Sequence, residues 1–312
     1  MSKKIMSVAQ CADRANWLKM RTMGLGGSDA ASVIGLNKWK SPYQLWLEKT
    51  GQVEAEDISD RECVYWGTVL EDVVAQEFFK RTSKRIQRCG MLQDDEHDFL
   101  LANVDRLVIG EKAGLECKTA NGFAAKLWEG DEVPDSYYLQ CQHYMMVTGY
   151  DKWYIAALIG GNHFVWKEIP RNEEDIKALR EAEINFWMRH VVGGEMPQVD
   201  GSDDCSRALA RHYPGGIKDE DADLNELQAE VNEIGRLKEM VDGLKKQITE
   251  KENRIKDAMG DFETGYCGEA KITWRSSAGR VTLDSKKLQA EMPEVYEKYK
   301  KQGAAYRVFK IN

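Results

Sequence analysis

Residues 100–118 read LLANVDRLVIGEKAGLECK. Two short apolar-rich runs flank 109–112 with Gly110 at the bend, which predicts an antiparallel hairpin. A turn centred on Gly110-Glu111 sets Asp105 directly opposite Glu116, with Cα atoms about 4.5–5.5 Å apart. Lys118 follows Glu116 by two residues and projects from the same face. Ala113, Leu115 and Cys117 then form the other, apolar face, and a slip of one residue would undo the arrangement. Two carboxylates this close repel each other unless a cation lies between them. Hard oxygen ligands in small number suit Mg²⁺, with Mn²⁺ as a substitute. Such a metal polarises a phosphate and lowers the pKa of a bound water, and Lys118 could orient that water, or deprotonate it if its own pKa is depressed. The chemistry indicated is phosphodiester hydrolysis. A bare D-x(10)-E-x-K spacing is common by chance, however, and by itself is more often a surface ion pair of Lys118 with Glu116 or Asp105.

The elements around the hairpin decide between these readings. Upstream, Trp17–Gly51 begins with Trp17 and Arg21, passes a Gly-Gly-Ser-Asp turn at 26–29 and enters a short helix expected at Asp29–Ile34. Ser28 or Asp29 can cap that helix, its free N–H groups favour an anion, and Arg21 can add a bidentate phosphate contact. Trp66–Thr82 reads as an amphipathic helix with Gly67 and Glu71 one turn apart. Tyr137–Gly161 reads as a helix followed by an apolar strand, and the four-residue spacing of Gln140 and Tyr144 puts them on one helical face.

Taken in order, Trp17 with Arg21, the GGSDA of 26–30, Gly67 with Leu70-Glu71, Asp105 with Glu116-Cys117-Lys118-Thr119, and Gln140 with Gln142 form a specific set. Over about residues 10–190 this set resembles the YqaJ-type viral recombinase family, related to the phage lambda exonuclease, within the PD-(D/E)XK nucleases. The resemblance implies an α/β (α+β) restriction-endonuclease-like core, a central mixed sheet flanked by helices. It implies that Asp105 and Glu116 bind the metals with the backbone carbonyl of Cys117, in a two-metal site, and that Lys118 serves the attacking water. Glu71 matches the helical glutamate near the site, Gln140 the glutamine of the Q motif, and Arg21 and Ser28 the pocket for a 5′-phosphate. The Pro-Asp of the motif is here Val104-Asp105, a mild departure because the proline is no ligand. A second acidic ligand, expected about ten positions earlier, falls among Asp94, Asp95 and Asp98, and Asp95 is the residue chosen.

The activity implied is a 5′→3′ exonuclease that degrades one strand of linear duplex DNA and exposes 3′ single strands for phage recombination. Its implied partners are duplex DNA ends, a single-strand annealing protein and further copies of itself in a ring-shaped trimer. Two other readings stay open: an endonuclease or nickase on the same scaffold, and a non-catalytic DNA-binding assembly protein. The first would cut closed circular DNA.

The 312 residues suffice for one large domain or two. With 42% hydrophobic and 31% charged residues the composition is that of a globular protein. No apolar stretch approaches the ~20 residues that span a bilayer. The N-terminal lysines lack an apolar run behind them, so the cytoplasm is the expected compartment. Seven scattered cysteines without a C-x-x-C pair argue against disulfides and zinc, and for reduced, mostly buried thiols. The net charge of −8 does not exclude nucleic acid, which is held by local basic groups.

Glycines and prolines at 193–222 punctuate the chain. They separate a nuclease domain at 1–200 from a long helix at 220–260 and a small α/β extension at 261–312. In the helix Leu227, Ile234, Val241, Ile248 and Ile255 recur every seven residues, with Leu224, Leu237 and Leu244 in the neighbouring seam and Lys251 interrupting it. Such a helix, about 50 Å long, meets another helix or subunit, or lies along its own domain. The extension reads as strand (Ala270–Arg275), possible strand (Val281–Leu283), helix (Ser285–Lys301) and strand (Tyr306–Ile311). Its basic face, built from Lys286, Lys287, Lys298, Lys300 and Lys301, is expected to be solvated surface.

Overall fold

The computed structural model describes residues 2–54, 57–216, 220–303 and 306–311. Helices α1 (Arg14–Thr22), α2 (Gly27–Val33), α3 (Pro42–Lys49) and α4 (Glu62–Thr82) precede a five-stranded sheet. Its strands follow one another in space as in sequence: β1 (Ile86–Gln87), β2 (Arg106–Val108), β3 (Ala113–Ala120), β4 (Lys152–Ile159) and β5 (His163–Pro170). Neighbours are antiparallel except β3 and β4, which are parallel. A parallel pair needs a crossover, and α5 (Asp135–Thr148) supplies it. Helices α6 (Glu173–Asn185) and α7 (Asp203–His212) follow the sheet. A smaller sheet joins Lys3–Lys4, Leu92–Gln93, Leu100–Ala102 and Leu25–Gly26 in that order.

The predicted hairpin forms in the predicted register. Arg106 pairs with Leu115 and Leu107 with Gly114, so Asp105, just before β2, falls against Glu116. The apolar face of β3 packs Ala113 and Leu115, with half-buried Cys117 beside them, on Val74, Ala75 and Phe78 of α4. The sheet's other face receives α5, where Tyr144, Met145 and Val147 join Trp153, Ile155 and Ala157 of β4. Covered on both faces, β4 is the near-continuous apolar run WYIAALI. This sandwich fixes the strand that carries Glu116 and Lys118 between two helices.

Two glycines make close approaches possible. A Cβ at Gly114 would sit 2.0 Å from the Trp153 ring, and one at Gly27 2.6 Å from the Tyr144 ring. The second contact seats α2 on α5. Helix α5 is further pinned by buried His143, whose Nδ1 lies 2.9 Å from Glu183 of α6 and whose Nε2 donates to the Leu101 carbonyl at 2.8 Å.

The chain divides into two compact units, Met1–Tyr213 and Pro214–Asn312. The first runs past residue 200 because α7 belongs to it: Asp204 accepts from the Ser41 amide and hydroxyl at 2.8 and 3.0 Å. The second holds helix α8 (Gln228–Met259), a hairpin of Thr264–Cys267 with Ala270–Thr273, and short helices Ser285–Glu291 and Pro293–Tyr299.

Five sequence expectations are corrected here. The helix expected over Ser285–Lys301 breaks before Pro293, which lacks the amide a continuous helix needs and begins the next one. Val281–Leu283 and Tyr306–Ile311 are not strands, since alternation without a partner edge leaves backbone groups unpaired. The helix expected from Asp29 starts at Gly27, with Gly26 as its N-cap; Asp29 reaches back to the Gly26 amide at 3.1 Å. Of the seven cysteines, all free, only Cys141 and Cys205 are buried, and Cys63 and Cys267 are exposed. Among the described residues no helix is long and apolar enough to cross a membrane.

Gly114→Ala is expected to destabilise the first unit by about 1–3 kcal/mol, because neither β3 nor the packed Trp153 ring can move aside. A thermal or urea midpoint equal to that of the parent chain would show that this contact is soft.

Candidate active site

The hairpin brings Asp105, Glu116 and Lys118 together, and α5 adds Gln140. Lys118 Nζ donates to Glu116 Oε1 at 2.6 Å and to Gln140 Oε1 at 3.1 Å. Gln140 Nε2 in turn donates to the same Glu116 oxygen at 2.7 Å and to the Tyr144 hydroxyl at 2.9 Å. Tyr144 closes the chain by donating to the Asn103 carbonyl at 3.1 Å. Asp105 Oδ2 accepts the Cys117 amide at 2.7 Å. The Lys118 ammonium also lies 4.7 Å from the centre of the Tyr137 ring, a cation–π contact.

Glu116 is only 3% exposed, and its second oxygen, Oε2, is buried with no hydrogen-bond partner. A buried unpaired acceptor costs about 1–3 kcal/mol, and more when charged. Burial, the Glu116 charge and the Glu71 charge push the Asp105 carboxyl well above its usual range. Both features are what a hard cation would relieve. The donor set fits Mg²⁺ or Mn²⁺: two carboxylates facing a cleft, with the Cys117 carbonyl in the same strand. Among the described residues no group of three His, Cys, Asp or Glu side chains is arranged to hold a metal ion. Water and a substrate phosphate would therefore complete the coordination, as Mg²⁺ sites commonly allow.

Lys118 departs from one expectation. Burial favours the neutral amine, but the Glu116 and Asp105 charges outweigh it and push the pKa above that of an ordinary lysine. The side chain is thus an ammonium in this arrangement. It can orient a water or counter the charge on a phosphate.

Glu71, on α4, is held by Arg106 Nη1 at 2.6 Å, and the same buried guanidinium also bonds Asp72 and the Asp105 carbonyl. Glu71 therefore stands beside the pair without joining its hydrogen bonds.

Arg21 and Ser28 meet at the other end of the cleft. Arg21 Nη2 donates to Ser28 Oγ at 2.8 Å, and its guanidinium lies 4.9 Å from the Trp17 ring centre. Asp29, 2% exposed, sits 3.6 Å from Arg21 and 2.8 Å from Lys49 Nζ. Burial would raise its carboxyl, but Lys49 and Arg21 hold it well below the usual carboxylate range. The buried Lys49 ammonium also donates to the Arg21 and Gly24 carbonyls at 2.7 and 2.6 Å, which fixes the end of α1. One cleft of about 160 Å³ is lined by Trp17, Arg21 and Ser28 together with Asp105, Glu116, Gln140 and Tyr144.

Asp95 is not brought to this cleft. It is exposed in the turn after Leu92–Gln93, while its neighbour Asp94 binds Arg180 at 3.0 Å. Alternation along a strand cannot be counted across that turn, so spacing alone misplaced it. Sequence reasoning also missed Arg106 and Lys49, whose partners lie far away in the chain. Tyr144 was legible as the α5 neighbour of Gln140, but not as its hydrogen-bond partner.

The sequence profile of the YqaJ-like viral recombinase domain matches residues 16–151. The chain is 45% identical over 293 residues to the uncharacterized protein YqaJ of Bacillus subtilis (strain 168), covering 93% of this chain and 91% of that one. Among solved structures, the alkaline exonuclease LHK-Exo from Laribacter hongkongensis superposes with a TM-score of 0.50 at 16% identity, over 58% of this chain and 93% of its own. Its complex with dAMP matches with the same score, identity and coverage. The shared fold is a mixed sheet flanked by helices.

Two outcomes are expected. Gln140→Leu, which strips two hydrogen bonds from around Glu116, should weaken Mn²⁺ binding about 10–100-fold in titration calorimetry. Asp105→Asn should raise the midpoint of thermal unfolding at pH 7 in chelator, by about 2–4 °C per kcal/mol of repulsion relieved. The sign follows from the raised pKa: the native carboxyl holds its proton more tightly than the unfolded one, so stability falls as pH rises from the ordinary value through the raised one. An unchanged or lower midpoint would mean that Asp105 is not charge-crowded.

Proposed function

The chain belongs to the YqaJ-like viral recombinase family, and from that premise we propose that it is a metal-dependent exonuclease acting on the 5′ ends of linear duplex DNA. One observation carries the reading: a single cleft joins Arg21 and Ser28 to the Asp105–Glu116 pair. A cation and a water-activating centre at one end, with an anion-binding arginine at the other, suit a substrate that ends in a phosphate.

In this proposal Asp105, Glu116 and the Cys117 carbonyl hold Mg²⁺, for which Mn²⁺ substitutes, in a site of the two-metal type. The metal, when bound, polarises the scissile phosphate and lowers the pKa of a bound water. Gln140 and Lys118 keep Glu116 in one rotamer through the bonds to its Oε1. The Lys118 ammonium orients the attacking water and offsets charge growing on the phosphate. Glu71, fixed by Arg106, adds negative potential that strengthens cation binding nearby. Arg21 offers the terminal phosphate a forked donor, with the Ser28 hydroxyl beside it. Asp29 and Lys49 hold Arg21 from behind.

The proposal extends to the partners that the resemblance implies: duplex DNA ends, a single-strand annealing protein that takes the exposed 3′ strand, and a ring-shaped trimer in the cytoplasm of a phage-bearing host.

The test is digestion of linear duplexes with and without a 5′-phosphate, alongside a closed circle, in Mg²⁺. Acid-soluble nucleotides should come from the phosphorylated linear duplex and not from the circle. Lys118→Ala should reduce release by about 10²–10³-fold, the scale for losing one electrostatic donor. Arg21→Ala should remove the preference for phosphorylated ends while leaving the fold intact. Cutting of the circle would replace the exonuclease with an endonuclease on the same scaffold, and no release with any substrate would reject the nuclease.

A further inference from the structure

Helix α8 carries a seam that its own unit does not cover. Leu237, Val241, Leu244 and Ile248 are 46, 47, 56 and 58% exposed, although each stands at a heptad core position. Isolated surface leucines are ordinary, but a row repeating over a 32-residue helix is a recognition surface. The hairpin after α8 reaches only its last turns, around Ile255, Ala258 and Met259.

Two charged residues in the seam say what fits there. Glu230 and Lys251 occupy core positions of the same heptad phase as Leu237 and Leu244. In a parallel pair of copies, Glu230 would face Glu230 and Lys251 would face Lys251, two like-charge layers in the core. In an antiparallel pair overlapping end to end, Val241 of one copy packs on Leu244 of the other, and Leu237 on Ile248. Glu230 then comes within one helical turn of Lys251 of the other copy at both ends. The flanking positions do not decide the matter. Glu233 finds Lys238 in the parallel arrangement and Arg254 in the antiparallel one, where Lys238 also meets Lys245. The core layers therefore set the direction.

We propose that α8 binds the α8 of a second copy of this chain as an antiparallel coiled coil. The inference rests on the second unit alone and is independent of the nuclease reading.

Sedimentation of the full chain tests it. Leu244→Asp combined with Ile248→Asp, both at exposed sites that the fold tolerates, should lower the solution mass to that of the assembly the first unit makes by itself, half the parent mass where the pairs close a dimer or join two rings. Glu230→Lys alone, and Lys251→Glu alone, should each weaken association roughly tenfold, since each turns two attractive contacts into repulsive ones. The double reversal should restore it to within about twofold of the parent. A mass unaffected by the aspartates would overturn the proposal, because another occupant would then cover the seam. Single reversals without effect would overturn the antiparallel direction, since a parallel pair merely exchanges one like-charge layer for another.

Discussion

Glu116 is a buried carboxylate with one oxygen satisfied twice over and the other bare, and the first unit is arranged around that imbalance. Lys118 and Gln140 both bond Oε1, so the side chain cannot turn away from the cleft, while Oε2 waits for a positive partner. Asp105 increases the demand, since its half-buried carboxyl lies against the same negative charge. A protein interior does not keep such an arrangement for stability, because desolvated charges need compensation. The proposed function gives it a use, since a cation and a phosphate would supply that compensation.

Holding this imbalance in place requires a stiff surround. The β3 strand is clamped between α4 and α5, and its register is fixed by the pairing with β2 and β4. The buried Arg106 guanidinium ties Glu71, Asp72 and the Asp105 carbonyl together, so α4 and the hairpin cannot shift independently. At the far end of the cleft, Lys49 and Asp29 do the same for α1 and α2. Breaking a pair buried on both sides, as Lys49–Asp29 is, by removing one partner typically costs several kcal/mol, more than replacing both.

The fold by itself does not fix an activity, because one scaffold hosts many. What distinguishes this chain is the continuity of the cleft from Arg21 to Glu116. The second unit is built on a different logic: α8 spends almost its whole length in solvent, and Met259 is its one buried residue. Its apolar residues at heptad spacing, with two charged layers among them, suit the pairing proposed for it.

The sequence alone determined the hairpin, its register and the face shared by Asp105, Glu116 and Lys118. It could do so because strand alternation and a glycine turn are local, and a few residues fix both. It likewise placed Gln140 and Tyr144 on one face of a helix, and the ordered motifs assigned the family. Tertiary structure alone decided the direction in which the Lys118 pKa moves, the bare oxygen of Glu116, the capture of Glu71 by Arg106 and the placement of Asp95 away from the cleft. Each of these depends on burial and on the sum of charges that the fold brings from distant parts of the chain. A spacing rule carries no information about either. Only the fold could show that Arg21 and Glu116, 95 positions apart in the chain, line the same cleft.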